Sequence, residues 1–246
     1  MNSCVSRLRM FAGPNGSGKS TINALIRAEL LGVYINPDDI EKAIRESSDF
    51  LDMNRYGVKT TADEVLGFFQ QSTLLEKADL LDEAAELRFN DDKLSFFAVS
   101  VNAYFASVAA DFIRQKLLQA KTSFTFETVM SSPDKVALLH KAQQYGYRTY
   151  LYYVATEDPE INISRVRYRV KMGGHPVPVD KIVSRYFRSL DLLREAIRYS
   201  NRAYIFDNSG SQQVFVAEIT EGHQLELKTE KIPNWFKHAV LDKISL

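Results

Sequence analysis

Cysteine is almost absent: Cys4 is the one thiol in 246 residues. A lone thiol forms no intramolecular disulfide, and no Cys/His cluster has the spacing of a metal site. Net charge is absent as well, with 31 Lys plus Arg against 31 Asp plus Glu. No global field therefore draws the chain to nucleic acid or to a membrane surface. Neither is an expected partner, although a local basic groove stays open. Long apolar runs are missing, and nothing approaches the roughly 20 residues that span a bilayer. Gly13 arrives too early to leave room for the apolar core of a signal peptide after Met1. The expectation is a cytoplasmic protein. Low-complexity segments and internal repeats are missing too, so the chain reads as one α/β domain with insertions, or at most two small domains.

What is present alternates between strand and helix. A short apolar run, Leu8 to Ala12, ends at Gly13 and is followed by a helix-forming run from Ala24 to Leu31. Further strands are read at Val33–Ile35, Ser123–Phe126, Thr149–Val154 and Ala203–Phe206, with helices at Asp134–Tyr145, Glu160–Lys171 and Val179–Asn201. This order implies a mostly parallel five-stranded sheet flanked by helices. From Asp38 to about Gln119 the pattern is mostly helical, with Val65, Phe69, Leu74, Phe105, Val108, Phe112 and Leu117 at helical spacing. Residues 46–95 read as a helical insertion in a domain over 1–210. Residues 211–246 form a small appendage: two alternating runs, Val214–Ile219 and Gln224–Leu227, for a hairpin, then a helix holding Trp235.

Gly13-Pro14-Asn15-Gly16-Ser17-Gly18-Lys19-Ser20 matches G-x-x-x-x-G-K-S/T in full, between a strand and a helix. The glycines let successive backbone N–H groups turn toward phosphate oxygens, and the helix behind the loop adds its positive end. Lys19 would reach the β- and γ-phosphates of ATP, and the Ser20 hydroxyl, followed by Thr21, would ligate Mg²⁺. A phosphate loop alone does not choose between kinase, motor, GTPase and switch.

Acids at strand ends narrow the choice, because open α/β sheets bind ligands beyond the carboxyl ends of their strands. Asp38 follows the second strand, Glu127 the third and Asp207 the last. Asp38 reads either as the base for an attacking hydroxyl or, like Asp39, as a helix cap; both roles hold if Asp39 caps. Glu127, followed by Thr128, suits a substrate hydroxyl, Mg²⁺ or a polar strand end. Asp207 in Asp-Asn-Ser reads as a turn residue. On Glu160–Lys171, Ile163, Val166 and Val170 form an apolar face, with Arg165 and Arg169 opposite. That face is either solvated or a lid whose arginines close on phosphate. His175, in the loop Gly173-Gly174-His175-Pro176-Val177-Pro178, reads as a ligand contact or a structural histidine.

Together, Phe11 to Thr21, Ile35-Asn36-Pro37-Asp38, Phe124-Thr125-Phe126-Glu127-Thr128 and the Gly-Gly-His loop resemble the zeta toxin family of P-loop kinases. The resemblance spans most of residues 7–209 with a gap. It implies a nucleoside- and shikimate-kinase-like P-loop fold, and ATP with Mg²⁺ as cofactors. Characterised members phosphorylate the 3′-hydroxyl of UDP-N-acetylglucosamine, so a UDP-amino sugar or similar hydroxyl acceptor is implied, with a protein antitoxin as candidate partner. Carried onto this sequence, it makes Lys19 and Ser20 the ATP and Mg²⁺ ligands, Asp38 the general base, Glu127 with Thr128 the acceptor site and Arg165 a lid arginine. Arg169, Arg185 and the place of His175 compete for a second lid cation. A nucleoside or polyol kinase and a nucleotide-dependent switch with little turnover are the competing readings.

Overall fold

The computed structural model describes residues 5–23, 26–174 and 176–243. Cys4, Ala24 and His175, all named above, lie outside the described residues. In chain order the elements are β1 (Arg7–Ala12), α1 (Lys19–Asn23), β2 (Val33–Ile35), α2 (Pro37–Glu46), β3 (Phe50–Asp52), α3 (Ala62–Gln70), α4 (Thr73–Glu76) and α5 (Leu81–Ala85). Next come β4 (Arg88–Asn90), β5 (Lys93–Ser95), α6 (Ala103–Gln119), β6 (Phe124–Thr128), α7 (Pro133–Gln144) and β7 (Arg148–Ala155). The chain continues through α8 (Pro159–Lys171), α9 (Val179–Arg198), β8 (Arg202–Asp207), β9 (Val214–Thr220), β10 (Gln224–Leu227) and α10 (Asn234–Ala239). Among the described residues of the run from Ala24 to Leu31, only Ala28–Leu30 is helical, as a single 3₁₀ turn.

The main sheet has seven strands in the order β10-β9-β8-β7-β1-β6-β2. β1 lies parallel to β7 and β7 to β8, whereas β9 runs antiparallel to β8 and β10 to β9. The expected count of five strands is therefore corrected. The terminal hairpin does not stand apart, because β9 pairs with the edge that β8 would otherwise leave unsatisfied. By internal contacts the chain divides into two units, Met1–Leu31 with Thr125–Leu246, and Gly32–Phe124.

In the first unit the sheet is buried on both faces, which is why β7 reads as a nearly continuous apolar run. On one face Leu8, Met10, Leu151, Tyr153, Ala203 and Ile205 are fully buried. There the Tyr153 hydroxyl shares a hydrogen bond with Ser189 Oγ of α9 at 3.0 Å. On the other face Phe11, Ile22 and Val154 form a core with Leu31, Tyr152 and Phe206 packed against it. α8 packs on α9 through Ile163, Val166 and Ile182, whereas Val170, expected on the same stripe, is 37% exposed. α10 fixes the end of β8: the indole Nε1 of Trp235 donates to Asp207 Oδ1 at 2.8 Å. Trp235→Phe keeps the ring and removes that bond to a charged acceptor. A loss of about 1.5–3 kcal/mol is expected, read as a melting point several degrees lower with unchanged secondary structure.

The second unit is not purely helical. β3, β5 and β4 form an antiparallel sheet within the segment read above as a helical insertion. Its hairpin turns at Asp91 and Asp92, both in the left-handed region (φ 49° and 60°), as a two-residue type I′ turn demands. Phe69, Phe96 and Phe105 meet edge-to-face or stacked at 6.1–6.5 Å and form the aromatic centre of this unit. Leu75 rather than Leu74 is the buried residue of α4.

Candidate functional site

β1 delivers the chain into the glycine-rich loop. Gly16 and Gly18 adopt φ of 77° and 97°, where a side chain is strained. Space forbids a side chain there too. A Cβ on Gly16 would stand 2.7 Å from the backbone oxygen of Asn162, and one on Gly18 would overlap the Asn208 amide. The loop closes on itself through Ser17 N–H to Pro14 O at 3.2 Å and Thr21 N–H to Gly18 O at 3.1 Å. The Lys19 ammonium donates to Gly13 O at 2.8 Å and Pro14 O at 3.1 Å, so it curls back over the loop.

Two asparagines grip the loop from outside. Asn162 Nδ2 donates to Asn15 O at 2.6 Å, and Asn208 Nδ2 donates to Ser17 O at 2.8 Å. Two polar atoms of the loop itself, Asn15 Oδ1 and Ser17 Oγ, are buried without a protein partner. A buried polar atom left unpaired costs about 1–3 kcal/mol, so such atoms mark where a polar ligand belongs. Of the two, the Ser17 hydroxyl can donate to a phosphate oxygen, whereas Asn15 Oδ1 only accepts; Ser17, the loop N–H groups and Lys19 make a donor-rich, glycine-walled cradle that a nucleotide phosphate fits.

α8 begins with Asp158, whose side chain accepts from Glu160 N–H at 2.7 Å, and Pro159 follows it. Its fourth residue, Asn162, is fully buried and accepts from Thr156 Oγ1. The Tyr186 hydroxyl donates to Thr156 O at 2.6 Å. Burial, reinforced by Glu157, Asp158 and Asp207, pushes that hydroxyl's pKa well above its usual range, so it remains a donor. One turn beyond Asn162, Arg165 Nη2 donates to Gly210 O at 3.3 Å while its Nη1 is buried without a protein partner. Arg169 is exposed, and its carbonyl accepts from Gly174 N–H at 3.0 Å, which starts the turn beyond the helix.

In the second unit, Asp38 and Asp39 are both exposed in the first turn of α2. The cap is neither of them. Asn36 Oδ1 accepts from Asp38 N–H at 3.0 Å, which corrects the assignment of the cap to Asp39. Asn36 takes the role because Pro37 occupies the first helical position and leaves Asn36 just outside. In the first unit, Glu127 and Thr128 end β6, both half-buried. Thr128 Oγ1 accepts from Met130 N–H at 2.9 Å and so shapes a turn in which Met130 has φ of 53°. Asp207 is a turn residue, accepting from Ser209 N–H and Oγ.

Asn15, Ser17 and Lys19 thus share one loop, Arg165 bonds the turn after β8 at Gly210 O, and Ser20 and Thr21 stand exposed at the start of α1. The importance of Asn162 was hidden in the sequence. The one signal is a polar residue between Ile161 and Ile163 at the start of an apolar face.

The zeta toxin family profile matches residues 93–220, a span that begins after the glycine-rich loop. An uncharacterized protein of Haemophilus influenzae is 32% identical over 63 residues, which are 26% of this chain and 45% of that protein. Among solved structures, the AvrRxo1-ORF1:AvrRxo1-ORF2 complex with sulphate ions aligns with TM-score 0.56 and 14% identity over 100% of this chain and 66% of that one. The same complex with ATP gives 0.55 and 13%, over 100% and 66%. The PezAT chromosomal toxin-antitoxin system of Streptococcus pneumoniae gives 0.51 and 15%, over 99% and 81%. The chain therefore spans under half of the curated relative and about two thirds of the AvrRxo1 chain. At these identities the structural likeness establishes the fold alone.

Proposed function

The chain belongs to the zeta toxin family, whose profile covers just over half of it, and from that premise we propose that it is an ATP-dependent kinase. It transfers the γ-phosphoryl group to a hydroxyl of a UDP-amino sugar or similar small metabolite. The observation that carries the reading is the glycine-rich loop: glycines 16 and 18 in left-handed conformation, Lys19 folded over the loop carbonyls, and the Ser17 hydroxyl buried without a protein partner. Lys19 and the loop amides bind the phosphates, and Ser20 holds Mg²⁺, which when bound neutralises charge developing on them. Asp38 takes the proton of the acceptor hydroxyl, and Glu127 with Thr128 orients the acceptor. The Asp38 role is drawn from its place beyond β2 and from the family. A protein antitoxin is a candidate partner in the same reading, supported by the toxin-antitoxin neighbour. The test is mass spectrometry of a metabolite panel incubated with ATP. Phosphate on a small molecule supports a kinase, and free phosphate alone moves the switch reading ahead.

Arg165 supplies charge to the transferring phosphoryl group. In the structure Nη2 of its guanidinium is held at Gly210 O, while Nη1 has no protein partner and is the donor left for phosphate. Arg165→Ala is expected to lower kcat at least ten-fold more than it weakens ATP binding. Stopped-flow turnover beside calorimetric ATP affinity separates the two. Small and equal effects return α8 to a solvated basic face.

A further inference from the structure

We infer that Asn162 and Asn208 are positioning residues that aim the phosphate-binding N–H groups of Gly16 and Gly18; the inference rests on the nucleotide reading above. A trans peptide is planar, so the carbonyl of one residue and the N–H of the next point in opposite directions. Fixing Asn15 O fixes the N–H of Gly16, and fixing Ser17 O fixes the N–H of Gly18. Those two carbonyls are the ones the asparagine amides hold, at 2.6 and 2.8 Å. The same two glycines are the positions at which a Cβ would strike Asn162 and Asn208. Clamp and cradle are therefore two sides of the same peptides.

The two grips come from different elements, α8 and the turn after β8. Arg165 ties those elements to each other by donating from Nη2 to Gly210 O at 3.3 Å. A closed ring results: loop, Asn162, α8, Arg165, Gly210, Asn208 and loop again. Asn162 has no freedom within it. It is fully buried, its Oδ1 is taken by the Thr156 hydroxyl, and only an amide supplies an acceptor on that side and a donor toward Asn15 O. The first turn of the arginine helix is thus anchored to the loop, and any closing motion of α8 starts beyond Asn162.

Asn→Asp at either position makes the discriminating change. An ionised carboxylate turns an acceptor toward a carbonyl and releases the aimed N–H, whereas a protonated one donates again. Burial raises the pKa of such a carboxyl, so the donor returns as pH falls, above the usual carboxylate range. At pH 8, ATP affinity of Asn162→Asp is expected to fall about ten- to a hundred-fold, and most of that loss should vanish by pH 5. Wild type run in parallel removes the titration of ATP itself. A residue that only stabilised the fold would shift the melting point without this pH-dependent recovery. Asn208 is half-buried and Asn208→Asp is the safer fold, so it decides the matter if Asn162→Asp fails to fold. Folded variants that bind ATP like wild type across the pH range overturn the positioning role. A wild type that binds no ATP overturns the nucleotide reading itself.

Discussion

ATP titrated into Lys19→Ala is expected to bind at least about a hundred-fold more weakly than to the native chain, close to 3 kcal/mol at 1.4 kcal/mol per decade. A hydrogen bond to a charged group contributes about 1.5–3 kcal/mol, and a lysine bridging two phosphates makes two of them. The expected loss falls toward the lower end of that sum for a reason visible in the structure. Without nucleotide, the ammonium already donates to Gly13 O and Pro14 O, and those bonds are given up when phosphate arrives. Gly13 and Pro14 are buried, so alanine also takes a donor from two buried carbonyls, and a lower melting point is expected beside the weaker affinity. Isothermal calorimetry with parallel thermal melts measures both quantities. An unaltered affinity in the folded variant would sink the phosphate-loop assignment.

The glycine-rich turn between β1 and α1 was legible because its physics is local. Glycines at 16 and 18 answer to positive φ, with no distant residue needed to recognise the turn. The strands of the first unit were legible for a related reason: a buried strand such as Arg148–Ala155 has to be apolar on both faces. Strand count failed where a local pattern met a non-local partner. Val214–Ile219 and Gln224–Leu227 read as a hairpin, which β9 and β10 form, but no pattern within them states that β8 offers its edge.

The second unit hid its sheet for a different reason. β3, β4 and β5 have three residues each, too short for alternation to stand out beside the helical spacing of Val65 and Phe69. Their turn is Asp91-Asp92 rather than Asn-Gly, and aspartate enters the left-handed region less readily than glycine, so the turn signal is weak. The loop clamp was hidden more deeply. Asn162 lies 147 residues from the carbonyl it holds, and only the fold brings them to hydrogen-bonding distance. Asn36 was the opposite case. Its place before Pro37 already marks a cap, yet the acids that follow drew the assignment one turn inward.

Phosphoryl transfer by Asp38→Asn is expected to fall about 10²–10⁴-fold, roughly 3–5.5 kcal/mol of barrier, while ATP affinity hardly moves. The change keeps size and most hydrogen bonding and removes only the proton acceptor. Structure sharpens the control. Asp38 and Asp39 are both exposed and both lie in the first turn of α2, whose cap is Asn36. Asp39→Asn therefore removes the same charge from the same helix end, at a stability cost of a few tenths to 1 kcal/mol. Any effect of that charge on helix or field appears in both variants, and only proton transfer separates them. The measurement is turnover of each variant on a panel of UDP-sugars, nucleosides and polyols, with thermal melts. If folded Asp38→Asn transfers phosphate at the wild-type rate, Asp38 is not the base. If both variants lose activity alike, the loss belongs to the charge of the α2 terminus, and the acceptor's proton leaves by another group.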